Sequence, residues 1–363
     1  MPGKGLQSLA RSILPRPVGR AIRQAAAAGR RLTLERKLPA AEDRFLVAYE
    51  NYWSNGVVPA EAEQLLHLAT WSSGGVLPGA AARSHGRPFD PDRFTAFPDE
   101  LLRGIDPETA ADAVESDGYY VAPARLPSDV LDDILYRLEA GPARPRGDGL
   151  GPVPNGRPGP DAPTWWMDPS EAIESTAVRR LLAERRLAEV GGRYLGVEPL
   201  IMSVVLWKSF AWRVADSNSA QQFHFDNDRA AFVKMFVYLT DVGLDNGPHT
   251  YVARSHREKP KQLLHGGRLT DEAVARHYPR SDWRVITGDR GTVFFADTQG
   301  FHKGGQVSSG ERAMFQINLA TDRFGITEPP IGSPQDALCE LGPLVATAPR
   351  YFAELYREPT APP

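Results

Sequence analysis

The chain has 363 residues, 42% hydrophobic and 24% charged, and carries a net charge of -3. This composition suits a globular protein and excludes the strong basic excess of a nucleic-acid binder. A single cysteine, Cys339, excludes an intramolecular disulfide and fits a reducing compartment, so a cytoplasmic location is expected.

Residues 1–40 form a basic N-terminal segment with nine Lys or Arg against one acid, Glu35. Three readings fit it: weak membrane-surface contact through Leu6, Leu9, Ile13 and Leu14, an organelle transit peptide, or a solvated tail. No apolar run approaches the roughly 18–20 residues of a transmembrane helix, so no span is expected.

Residues 41–116 read as a helical N-terminal extension. Leu65, Leu66 and Leu68 have helical spacing between Pro59 and Gly74-Gly75. Asp117-Gly118 is a turn leading into a strand through Tyr119-Tyr120-Val121. Ser128 is expected to cap the next helix, whose apolar face is Leu131, Ile134, Leu135 and Leu138. In residues 141–163, 13 of 23 positions are Gly or Pro, which predicts that neither helix nor strand persists there. Such a segment is a linker or an active-site lid, and Trp165-Trp166 directly after it keeps the lid in view.

A helix is expected over about 170–190. From Pro199 the pattern changes to short strands rich in β-branched and aromatic residues: Leu200–Trp207, Ala231–Thr240, Gly291–Ala296 and Arg312–Ala320. The fold class is therefore mainly β with flanking helices, a sandwich or barrel. Residues 326–363 form a Pro-rich C-terminal tail with one short helical stretch near Tyr351 to Tyr356.

The chemistry lies in His224-Phe225-Asp226, His302 and Arg312. Side chains two apart on a strand point to one face, whereas on a helix they diverge. His224 and Asp226 therefore make a two-ligand bite only on or beside a strand, with Phe225 turned away. His302 follows a second turn and strand, Gly288–Asp297. Two histidines and a carboxylate form the ligand set of a mononuclear non-haem Fe(II) centre with open positions, enough for a bidentate 2-oxo acid and O2. On the strand from Arg312, Met314, Gln316, Asn318 and Ala320 share the face of Arg312, while Ala313, Phe315, Ile317 and Leu319 form a wholly apolar face. A guanidinium on the mixed face would grip a carboxylate in bidentate fashion.

Three segments together resemble the phytanoyl-CoA dioxygenase family. They are Gln222-Phe223-His224-Phe225-Asp226, then Asp245-Asn246-Gly247-Pro248-His249-Thr250-Tyr251-Val252-Ala253-Arg254-Ser255-His256-Arg257, and the run Gly288 to Phe295 with His302 and Arg312. The resemblance covers about 117–322. It implies a double-stranded β-helix (jelly-roll, cupin-like) core in an oxygenase domain over 117–325. It also implies Fe(II) on His224, Asp226 and His302, with 2-oxoglutarate as co-substrate on Arg312 and O2 as oxidant. The family's small hydroxyl residue two after the last ligand is Gly304 here, so Gln222, Lys208 or Asn318 are candidates to help hold the co-substrate. Halogenating relatives lack the carboxylate ligand, and Asp226 is present.

The reading is thus a 2-oxoglutarate-dependent dioxygenase that hydroxylates an unactivated C–H bond of a small molecule, releasing succinate and CO2. Candidate substrate contacts are Trp165, Trp166, Arg213, Asp216, Lys234, His249, Tyr251 and Lys303. Alternatives are a non-oxygenase metal barrel, an isomerase or lyase, or a non-catalytic binding relative; Arg312 discriminates against the former and the intact triad against the latter.

Overall fold

Alternation along one strand shows how this chain folds. In β10 (Glu311–Ala320), Ala313, Phe315, Ile317 and Leu319 all enter one large apolar cluster. Met314, two residues beyond Arg312, turns to the other side and joins a second cluster with Phe236, Tyr238, Tyr251, Ile286 and Phe294. One face of the strand thus packs against helices and the other lines the barrel, as its period of two requires.

The computed structural model describes residues 40–146, 156–212, 221–264, 267–325, 331 and 339–355. The expectations for the basic segment therefore fall outside the described residues, except at Ala40. No helix among the described residues is long and apolar enough to cross a membrane.

Among the described residues, seven strands make the larger sheet. In spatial order they are β1 (Tyr119–Arg125), β8 (Thr292–Ala296), β5 (Phe232–Tyr238), β10, β4 (Leu200–Phe210), β3 (Thr164–Met167) and β2 (Ala143–Arg146). The smaller sheet runs β7 (Trp283–Ile286), β6 (His249–Val252), β9 (His302–Gly304). Every strand pair is antiparallel. Tyr251 and Ile286 of the small sheet pack directly on Phe236, Phe294 and Met314 of the large one. This is a double-stranded β-helix.

Helices cover the outer face of the large sheet. α1 (Ala41–Asn55), α2 (Ala62–Ser73), α3 (Val76–His85) and α4 (Pro107–Asp117) precede β1, and α5 (Ser128–Ala140) follows it. Phe45 and Tyr49 of α1 and Leu66 of α2 share their core with Val233 and Leu319 of the sheet. Residues 41–116 therefore pack into the barrel's own core. Tyr49 Oη also donates to buried Asp322 Oδ2 at 2.7 Å, just past β10.

Four local expectations need correction. The helix expected over 170–190 is three helices, α6 (Pro169–Ala172), α7 (Thr176–Leu182) and α8 (Arg185–Leu195). Ser175, in extended backbone, caps α7 by accepting from Val178 N, and extended Glu184 precedes α8, its carboxylate taken by the amides of Glu100, Leu101 and Leu102. Ser128 does not cap α5; Pro127 holds the cap position and no side chain bonds there. The Gly/Pro-rich stretch contains a strand after all, because β2 is the sheet's last strand, where Pro145 needs to donate nothing. The C-terminal helix is α9 (Gly342–Thr347); residues 351–355 are turns whose Tyr351, Phe352 and Leu355 are buried in the main core.

Candidate metal centre

His224 and His302 meet as an antiparallel backbone bridge. Each donates its amide to the other's carbonyl, at 3.0 and 2.8 Å. Directly opposed residues in such a pair share a face, and the two rings lie 4.2 Å apart. Asp226 is fixed two residues on by its amide donating to Thr298 O at 2.8 Å. Phe225 turns away and packs on Phe301. One ligand atom from each of His224, Asp226 and His302 lies within 4.8 Å of the others.

Hydrogen bonds set the tautomers. Nδ1 of His224 lies 3.0 Å from Gln222 O, and Nδ1 of His302 lies 3.0 Å from Gly300 O. A carbonyl only accepts, so each Nδ1 carries the proton and each Nε2 offers its lone pair toward Asp226, at 3.7 and 3.6 Å. Burial pushes both histidines below their usual pKa, so they are neutral donors at pH 7. Burial opposes ionisation of Asp226, but the Lys234 ammonium overrides it and holds the carboxyl well below the usual range. Two neutral imidazoles and one carboxylate, pre-oriented on one centre, fit a divalent metal ion.

Arg312 lies on the barrel-lining face of β10 and is 4% exposed. Its Nη1 donates to Gly247 O, its Nε has no partner, and among the described residues no carboxylate pairs with it. A Cβ on Gly304 would come within 3.3 Å of both Nη atoms. The missing side chain at 304 is thus the space in which the guanidinium rests. A buried, unpaired cation with a free donor fits an anionic ligand.

The other candidates are dispersed. The Gln222 carbonyl orients His224. Asn318 is buried opposite Lys234 with its Oδ1 unpartnered. Lys208 stands opposite Ala313, on the helix-packed face, where it pairs with Glu139 and Glu311 at 2.9 and 2.7 Å. That face is turned away from Arg312. Trp165 shares it and donates to Gly159 O, whereas Trp166 stands opposite Trp207 on the lining face, ring centroids 5.9 Å apart. Lys234 bridges Asp226 and Asp228 at 2.7 and 3.0 Å. Lys303 pairs with Asp271 and lies over Phe223. Tyr251 donates to Asp297 O in the turn before His302, and His249 stacks beside His302 at 5.4 Å. Arg213 and Asp216 lie outside the described residues.

Three residues of the site escaped sequence reasoning. Asp228 continues the alternation of His224 and Asp226, a period-two signal that was available. Gly304 was noted only for the hydroxyl it lacks. Thr70, from the helical extension, donates to Asn227 Oδ1 at 2.8 Å, and no sequence signal marks it.

Fold and site together give a double-stranded β-helix that carries a candidate metal-binding triad and, on its lining face, a buried arginine. The chain belongs to the phytanoyl-CoA dioxygenase family, whose model matches residues 114–314, more than half its length. Its cofactors are those of the family, Fe(II) and 2-oxoglutarate. No curated protein matches the chain. Among solved structures it is similar to SnoN, described as a non-heme alpha ketoglutarate dependent epimerase from nogalamycin biosynthesis. Identity is 18%, coverage 59% of this chain and 82% of SnoN, and the TM-score 0.46. It is similar also to EctD from S. alaskensis, solved with 2-oxoglutarate and 5-hydroxyectoine, at 22% identity, 66% and 86% coverage and TM-score 0.44. AviO1 from Streptomyces viridochromogenes matches at 20% identity, 62% and 98% coverage and TM-score 0.42.

Proposed function

We propose that the protein is a dioxygenase that hydroxylates an unactivated C–H bond of a small molecule. His224, Asp226 and His302 hold ferrous iron, and Arg312 holds the far carboxylate of 2-oxoglutarate. The observation that carries this reading is the pairing of a pre-oriented three-donor cluster with a buried guanidinium that lacks a carboxylate partner among the described residues. Bound iron would supply the O2 chemistry, coupled to conversion of 2-oxoglutarate to succinate and CO2.

The chain's own residues bind and orient. Gln222 O and Gly300 O keep Nε2 of both histidines unprotonated, so no proton must leave before metal binds. Phe236, Phe294 and Met314 make the lining apolar and exclude water around the guanidinium, which strengthens its hold on an anion. Asp226 fills the position that a halide would need, which favours oxygenation over halogenation. Trp166 and Trp207 continue the lining face across β3 and β4, and we assign them to the substrate wall. The lone Cys339 supports a reducing, cytoplasmic setting.

Succinate release in air, screened over small-molecule substrates with Fe(II) and 2-oxoglutarate, tests the proposal. Substrate-dependent succinate with a product heavier by one oxygen supports hydroxylation. A product without added oxygen would redirect the reading to another oxidation. Near-normal turnover by Asp226→Ala would refute the metal assignment.

A further inference from the structure

We propose that the His249 imidazole is a second contact for 2-oxoglutarate, sharing the far carboxylate with Arg312. The inference rests on the co-substrate reading above and adds a residue to it.

Placement comes from the small sheet. In the β6–β9 ladder, His249 is opposed by Gly304 and Tyr251 by His302. Opposed residues in an antiparallel pair share a face, so a side chain at 304 would stand directly beside the imidazole. Gly304 has none, and the Arg312 guanidinium occupies that berth. Diagonally across, the His302 ring lies nearly parallel to His249, 5.4 Å away and inclined by 14°. His249 therefore stands between the metal triad and the cation that awaits the far carboxylate.

The ring is also unsatisfied. His249 is 5% exposed, yet its Nε2 has no hydrogen-bond partner among the described residues. Its backbone amide donates to Tyr238 Oη at 3.1 Å. Phe236 and Phe294 flank the ring at 5.3 Å and offer nothing polar. A buried nitrogen without a partner is costly unless a ligand supplies one. Arg312 Nε likewise has no partner among the described residues. With its Nε2 protonated, the imidazole opposite Gly304 can donate to the same carboxylate as the guanidinium beside that glycine, because a carboxylate's two oxygens accept several bonds.

The test is calorimetric titration of 2-oxoglutarate into the full chain loaded with Mn(II), which leaves out turnover. His249→Phe keeps an aromatic ring between Phe236 and Phe294 and removes both nitrogens. It should weaken 2-oxoglutarate binding by about tenfold, the loss of one hydrogen bond to a charged group, with Mn(II) affinity unchanged. His249→Gln, which restores a donor, should recover part of the loss. His249→Met, also without a donor, repeats the test should Phe strain the packing. Wild-type 2-oxoglutarate affinity in the donor-less variants would overturn the proposal. So would loss of Mn(II) binding, which would make the ring a packing partner of His302. If Arg312→Ala binds 2-oxoglutarate as the wild type does, the co-substrate reading itself fails.

Discussion

The Lys234 ammonium lies 2.7 Å from Oδ2 of Asp226 and 3.0 Å from Oδ2 of Asp228, so one buried cation holds two carboxylates at the metal centre. The carboxylates reinforce its charge against burial and hold its pKa above the usual lysine value. Removing it leaves two uncompensated negative charges in a water-poor site. Lys234→Met should therefore cost the metal-free protein about 3–5 kcal/mol, read by urea unfolding in the presence of a chelator. Added Mn(II) should restore more stability to the variant than it adds to the wild type, because the ion replaces the missing charge. Equal metal-free stabilities would show that the bridge contributes nothing.

Gly304 offers a finer probe of the arginine berth. A Cβ there would meet both Nη atoms at 3.3 Å. Gly304→Ala should shift the guanidinium and raise the 2-oxoglutarate dissociation constant severalfold, leaving Mn(II) affinity alone. Unchanged co-substrate binding would place the ligand away from that berth.

The helical extension reaches the centre through Thr70, whose hydroxyl donates to Asn227, the neighbour of Asp226. Thr70→Val should lower stability by about 1 kcal/mol and weaken Mn(II) binding, because the loop carrying Asp226 loses a tether. Calorimetry with the metal reads the second effect separately from the first. A stability loss alone would make Thr70 a packing residue.

Stability should depend on pH through Lys259, whose ammonium is buried against Phe225 and donates to the carbonyls of His256 and Arg257. Burial lowers its pKa from 10.5 to about 8. Between those values the unfolded chain holds the proton that the folded chain has released, so stability rises with pH. Compared with Lys259→Met, the wild type should gain up to about 3 kcal/mol from pH 8 to pH 10.5. A pH-independent difference between the two proteins would contradict the lowered pKa.

Much of the barrel was legible because a strand's period is two. The division of β10 into an apolar face and the Arg312 face could be read residue by residue, and so could the shared direction of His224 and Asp226. What depends on partners distant in the chain was not legible. Lys208 and Lys234 both sit on strands, yet one meets Glu139 and Glu311 on the helix side and the other meets Asp226 inside. Trp165 and Trp166 part for the same reason. Proline counting hid β2, because an edge strand tolerates Pro145. A cap at Ser175 and extended backbone at Glu184 broke a helix that apolar spacing alone would have run on.

The most direct measurement of the central claim is the visible spectrum of the anaerobic protein titrated with Fe(II) and then 2-oxoglutarate. Chelation of ferrous iron by a 2-oxo acid produces a weak charge-transfer band. The band should appear in the wild type, vanish in Asp226→Ala, and in Arg312→Ala require far more 2-oxoglutarate. Iron binding without any band in the wild type would contradict the co-substrate assignment, and failure to bind iron would contradict the metal centre.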